Sequence, residues 1–277
     1  MKKHKISKIL DEFLYEMEVS NKSKNTIVNY RSDLKCFMNS CPVDLEKINV
    51  EILREHLNGL SHKSPTTRAR HISSLKMFLN WCYKKDFIPV NPLLKIDRQV
   101  QKTSLVPKKV EKNDIEKVLC SIDIFNKDNA INKSNLKYRL IFTLMLEAGL
   151  KVYEVLGLEY EDVEVDTQTI FVRTNGSKRR IPLFSSESIK LFRLYTDEIN
   201  VKSGLIFKGG DAQDKSLSYQ ALNKFWRKSC ARVGADIKLQ QLRDCFAGEL
   251  IKRGINICII SKMLGHKNLQ TIVKYLQ

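Results

Sequence analysis

Three stretches decide how this chain reads: Gln240-Gln241-Leu242-Arg243-Asp244-Cys245-Phe246-Ala247, Met263-Leu264-Gly265-His266-Lys267-Asn268 and Thr271-Ile272-Val273-Lys274-Tyr275. Taken singly, each has a plain structural role. Arg243 is one of 48 basic residues, with Asp244 and Glu249 nearby as ion-pair partners. His266 follows Gly265, and a glycine just past a helix is a common left-handed cap. Tyr275 beside Leu276 suits a half-buried packing tyrosine at a helix end. Only the joint arrangement lifts them above background: a guanidinium, an imidazole and a phenol follow one another in order between residues 240 and 277.

Working outward, the composition points the same way. The 277 residues carry 48 Lys and Arg against 31 Asp and Glu, a net charge of +17. A charge of that size favours association with a polyanion, and nucleic acid is the commonest one. No run approaches the roughly 18 consecutive apolar residues of a membrane helix. The basic start Met1-Lys2-Lys3-His4-Lys5 leads into a charged amphipathic stretch rather than an apolar signal core, so a cytoplasmic, nucleoid-associated protein is expected. The seven cysteines are scattered, with no CxxC pair. They read as buried free thiols in a reducing compartment, and no Cys/His cluster has zinc-ligand spacing.

The first hundred residues read as helical. Ile6, Ile9, Leu10, Phe13, Leu14 and Met17 recur at helical spacing, which predicts an amphipathic helix. Asn25 is read as the N-cap of a second helix with Ile27, Tyr30, Leu34 and Phe37 on its apolar face. A third covers Val50 to Leu60. A fourth starts after Pro65, carries Ile72, Leu75, Phe78, Leu79 and Cys82, and is ended by Pro89 and Pro92. Residues 1–95 thus form a four-helix unit. Residues 96–112 are polar, basic and aperiodic, with Pro107-Lys108-Lys109 among them, and read as an interdomain linker. In the third segment, 113–277, Asn113 is read as the cap of a helix over Ile115 to Ile122. Another helix runs from about Asn135 to Ala148 and stops at Gly149. Val163 to Phe171 and Arg179 to Leu183 read as strands around Asn175-Gly176, a strong hairpin signal. The fold expected is mainly α, in two domains, the second α+β with a small antiparallel sheet.

The C-terminal stretches resemble the signature of the tyrosine recombinase (phage integrase) family: His-x-x-Arg-x-x-Phe-Ala, then Leu-Gly-His, then a tyrosine nine residues after that histidine. Upstream, Gly149-Leu150-Lys151-Val152-Tyr153-Glu154-Val155-Leu156-Gly157-Leu158 resembles the family's Gly-Leu-Arg-x-x-Glu-x-x-x-Leu segment. Gly176-Ser177-Lys178-Arg179-Arg180-Ile181-Pro182-Leu183 resembles the hairpin that bears its catalytic lysine. The first unit, with Asn25-Thr26-Ile27-Val28-Asn29-Tyr30 and Asp33-Leu34, is similar to the SAM-like core-binding domain of Xer-type members.

The resemblance implies a catalytic set. Tyr275 would be the nucleophile and form a 3′-phosphotyrosine. Arg243 and Lys151 would stabilise charge on the phosphate oxygens. His266 would hydrogen-bond the phosphate or accept the tyrosine proton, and Lys178 would protonate the leaving 5′ oxygen. Gln240 fills the first histidine's slot. Lys108, Lys109 and Lys267 would contact DNA. No cofactor, ATP or metal is implied. Three features depart from the pattern. Lys151 stands where the family has arginine and keeps the charge but lacks the planar fork. Gln240 can donate a hydrogen bond but cannot move a proton near pH 7. The hairpin is about one residue shorter between lysine and proline than the family's, which makes Arg179 the alternative to Lys178.

The function expected is site-specific recombination of double-stranded DNA for a mobile element (integration, excision or cointegrate resolution) or in chromosome-dimer resolution. Two protomers would occupy inverted half-sites and four would form the synapse, with no membrane or small-molecule partner. Binding should weaken steeply with salt as counterions are released. Lys151 and Gln240 motivate a different class, a catalytically weakened DNA-binding factor acting architecturally at recombination sites. A type IB topoisomerase shares the chemistry, but the two-domain layout argues against it.

Overall fold

The structure, a computed structural model, describes residues 2–41, 44–95, 110–174, 177–182, 185–209 and 216–266. The chain divides into two compact units, residues 1–105 and 106–277. Within the expected linker, residues 96–109 lie outside the described residues, while Lys112 is the first residue of a helix.

The first unit comprises α1 (Lys2–Val19), α2 (Lys24–Ser40), α3 (Val50–Gly59) and α4 (Pro65–Lys84), with 3₁₀ turns at Leu45–Lys47 and Pro92–Lys95. Its core gathers one stripe from each helix, including Phe13, Leu14, Leu34, Phe37, Leu53, Phe78 and Leu79. Phe13 is central, edge-on to Phe78 at 5.3 Å and to Trp81 at 5.5 Å. Each such side chain contributes about 1.5–3 kcal/mol through burial. Asn25 lies inside α2; the cap is Ser23, whose hydroxyl accepts from the Thr26 amide. Asn and Ser are near-equal caps, so the choice falls to whichever side chain reaches a free amide. Likewise α4 stops at Lys84, before either proline, because Asp86 turns left-handed at φ 59°.

The second unit holds α5 (Lys112–Cys120), α6 (Lys133–Ala148) and α7 (Val152–Leu156), then β1 (Val163–Glu164), β2 (Thr169–Thr174) and β3 (Ser177–Pro182). After these come α8 (Ser186–Ile199), α9 (Tyr219–Arg232), α10 (Leu239–Lys252) and α11 (Ile257–Leu264). Every residue from Leu140 to Leu146 of α6 is buried, as befits a helix apolar all round its circumference. Packed against it are α8 and α10. Ser185 and Ser188 at the start of α8 both donate to Glu147 near the end of α6. Trp226 of α9 is fully buried and donates its indole N–H to the Ile237 carbonyl at 2.7 Å. The cap of α5 is Glu111 rather than Asn113, and that of α6 is Asn132.

The sheet is antiparallel, in the order β1-β2-β3. The expected single strand from Val163 to Phe171 is instead two, broken by a turn at residues 165–168. Gln168 takes a left-handed φ of 50°, and Thr167 donates its hydroxyl to Glu164 across that turn. In the β2–β3 hairpin Thr174 pairs with Ser177, which leaves a two-residue connection at the expected Asn-Gly; those two residues lie outside the described ones. The cysteines are only partly as expected: Cys82, Cys230 and Cys245 are buried, but Cys120 and Cys258 are exposed. Among the described residues no helix is long and apolar enough to cross a membrane.

Candidate functional site

Two helix ends and one helix meet in the second unit. Gly149 caps α6 at φ 62° and Gly265 caps α11 at φ 61°, both in the left-handed region where glycine carries no steric cost. The α11 cap is closed by Gly265 N–H to Lys262 O and His266 N–H to Ser261 O, which sets His266 just beyond the helix. A Cβ on Gly149 would stand within 2.4 Å of the Phe246 ring, so only glycine allows α10 to approach this closely. Phe246, Ala247, Leu250, Ile260 and Leu264 form a small core that fixes α11 on α10.

Arg243 projects from α10 into this junction and is 1% exposed. Its guanidinium donates to Gly149 O and to Leu264 O, each at 2.6 Å. These carbonyls terminate α6 and α11, where acceptors lack intrahelical partners and the helix dipole is negative. One side chain thus ties two helix C-termini together. Its Nη2 also lies 3.5 Å from His266 Nε2, and its Nη1 lies 3.6 Å from Glu154 Oε2.

Glu154 is the hub. Its side chain is fully buried at the third position of α7, and it accepts the Lys151 backbone N–H at 2.8 Å. The Lys151 ammonium stands 3.6 Å from Glu154 Oε1 and donates to Tyr153 Oη at 3.2 Å. Arg243 and Lys151 therefore flank one carboxylate, with His266 beside the Arg243 guanidinium, and the two permanent cations leave the cluster net positive. An open pocket of about 530 Å³ adjoins it, lined by Tyr153 and Leu156 of α7, by Gly157 just past that helix, and by residues 216–220.

The other expected residues divide. Gln240 is exposed on α10, its amide donating to Asp244 at 3.4 Å. Lys178 lies opposite Arg173 and Arg179 opposite Val172 in the β2–β3 register, and β3 packs beside α11. Arg173 itself is taken up by Asp162 at 3.0 Å and Glu159 at 2.7 Å. Tyr275, Lys267, Lys108 and Lys109 lie outside the described residues. Burial pushes the Cys245 thiol up to about 11 and the Tyr195 phenol up to about 12, so neither is a ready nucleophile. Among the described residues no group of three or more His, Cys, Asp or Glu could hold a metal ion.

With that geometry in hand, comparison with known proteins is informative. The model of the phage integrase family matches residues 109–277, more than half of the chain. The chain belongs to the phage integrase family. The model of the family's N-terminal SAM-like domain matches residues 10–86. A tyrosine recombinase of Thermosipho africanus (strain TCF52B) is 26% identical, over 98% of this chain and 95% of its own length. The XerH site-specific recombinase bound to palindromic difH substrate superposes with a TM-score of 0.75 at 19% identity, covering 96% of this chain and 90% of that one. A lambda integrase dimer bound to a COC′ core site gives 0.77 at 17% identity, covering 98% and 95%. At those identities the likeness to the solved structures is one of fold.

Within this phage integrase family member, two residues of the cluster went unassigned by sequence reasoning: Glu154 and Tyr153. The signal for Glu154 was present, since a glutamate three residues beyond a helix start is where a capping carboxylate stands. Tyr153 sits at a position that the family pattern leaves open.

Proposed function

We propose that this chain is a site-specific DNA recombinase that cuts and rejoins duplex DNA through a 3′-phosphotyrosine at Tyr275. The observation that carries the reading is that residues far apart in sequence meet: Arg243 and Lys151 flank Glu154, and His266 stands beside the Arg243 guanidinium. A phosphodiester approaching five-coordination spreads added negative charge over its equatorial oxygens. Cations fixed beforehand at those oxygens favour that state over the ground state. The Tyr275 phenol oxygen attacks phosphorus, the P–O5′ bond breaks, and the 5′ oxygen takes a proton from Lys178, with Arg179 as its rival. The phenol proton passes to His266 or to solvent. Rejoining reverses each step, and the energy of the broken bond is kept in the phosphotyrosine. The charge of +17 suits the partner, duplex DNA with inverted half-sites. Two protomers would hold one site and four the synapse, in the setting of a mobile element or of chromosome-dimer resolution.

A second reading, that of a catalytically weakened DNA-binding factor, is motivated by Lys151 and by Gln240. Gln240 is exposed, and its amide reaches Asp244. One experiment separates the two. A nicked duplex carrying the site that the protein selects from a random-sequence pool should trap a covalent adduct. Tyr275→Phe should abolish that adduct, whereas Tyr153→Phe and Tyr219→Phe should not. Wild-type protein that binds its selected site and never forms the adduct would overturn the recombinase reading in favour of the second.

A further inference from the structure

Lys151 fills a position that the family pattern gives to arginine, and the structure shows what holds it there. Its ammonium donates to Tyr153 Oη at 3.2 Å, lies 5.5 Å from the centroid of the same ring and stands 3.6 Å from Glu154 Oε1. The charge is thus caged between a phenol and a carboxylate while its side chain remains 30% exposed. Tyr153 is 64% exposed, so filling the core does not account for its bulk. A guanidinium comes with five donors in a rigid plane, whereas an ammonium is a point charge on a flexible stem. A catalytic cation acts by being in place before charge develops. A lysine therefore needs an outside restraint where an arginine carries its own.

We propose that Tyr153 is a positioning residue for Lys151: its hydroxyl, together with the Glu154 carboxylate, fixes the ammonium where it meets the scissile phosphate. The inference rests on the recombinase reading above and extends it to a residue outside the family pattern.

The test is a double-mutant cycle on the nicked duplex carrying the selected site, read as single-turnover adduct formation at saturating protein. Tyr153→Phe keeps the ring and removes only the hydroxyl. In the Lys151 protein it should slow cleavage about tenfold, the loss of one hydrogen bond to a partly exposed charge. DNA affinity should stay within about twofold, because one contact among many is removed. Lys151→Arg alone should raise the rate, and in that background Tyr153→Phe should change it by less than about twofold. Equal losses in both backgrounds would overturn the proposal, because the hydroxyl would then touch DNA directly or support the fold in general. No loss in either background, or a Lys151→Arg protein that does not cleave, would overturn it as well. In all these cases wild-type cleavage keeps the recombinase reading standing; wild type that forms no adduct removes both.

Discussion

Arg243 has a structural duty that stands apart from the chemistry proposed for it. A guanidinium 1% exposed and bonded to Gly149 O and Leu264 O is a structural rivet. Removing it strands two helix-terminal carbonyls and takes a cation from beside the buried Glu154. Arg243→Ala should therefore destabilise the second unit by about 3 kcal/mol, the scale for breaking a buried charged contact. Urea unfolding read by Trp226 fluorescence in a Trp81→Phe background checks this; native stability in the variant would show that the guanidinium does not hold the helix ends. Arg243 and His266 were legible in the sequence because their spacing is a joint pattern. Glu154 as the hub was not, because a glutamate three residues from a lysine looks the same whether it is a solvated pair or a buried centre. Only the fold, which brings α10 and α11 to the start of α7, distinguishes them.

Among the elements, the helices were legible in kind but not in their ends. Apolar periodicity gave α1 to α4, yet Ser23 displaced Asn25 as a cap because its hydroxyl reaches the Thr26 amide, and α5 begins after Glu111, which caps with extended backbone and no side-chain hydrogen bond. The sheet was legible where the Asn-Gly signal lay and less so at residues 165–168, where a left-handed Gln168 has no strong sequence mark. The hairpin carries the open chemical question. Arg179 stands opposite Val172 and Lys178 opposite Arg173, so the two candidates occupy successive, alternating positions of one strand. The proposed mechanism asks one of them to protonate the 5′ oxygen. Lys178→Ala should lower cleavage by roughly 10²- to 10⁴-fold, the usual range for a lost general acid. A 5′-bridging phosphorothiolate, whose leaving group needs no proton, should restore the rate. Arg179→Ala should show no such rescue; rescue of Arg179→Ala alone would reverse the assignment.

Taken whole, the molecule places its ionisable chemistry very differently in its two units. The second unit gathers cations around Glu154, while the first buries histidines. His56 is 5% and His71 3% exposed, with ring centroids 6.2 Å apart. Burial holds both below the ordinary imidazole value of 6.5. For His56 the neighbouring His71 adds to the effect. For His71, Asp33 at 3.2 Å opposes it, while Arg70 and Lys63 reinforce it. Asp33 is itself occupied, by Arg70 at 2.7 Å and by the Ser74 hydroxyl at 2.8 Å, and His56 Nδ1 is 2.7 Å from Ser40 Oγ. As the pH falls through 6.5 the unfolded chain protonates these rings and the folded one resists. The unfolded state then binds more protons, so stability rises with pH across that window and is lost on acidification below it. Above 6.5 the rings are neutral in both states and the stability is fully present. Trp81 packs in this core against Phe13 and Phe87, and the only other tryptophan is Trp226. In a full-length Trp226→Phe protein, Trp81 therefore reports on the first unit alone. Its thermal midpoint should be lower at pH 5.5 than at pH 7.5, and His56→Gln should shrink the difference. A midpoint that holds steady or rises on acidification would mean that Asp33 outweighs burial, leaving the buried pair charged in the native state.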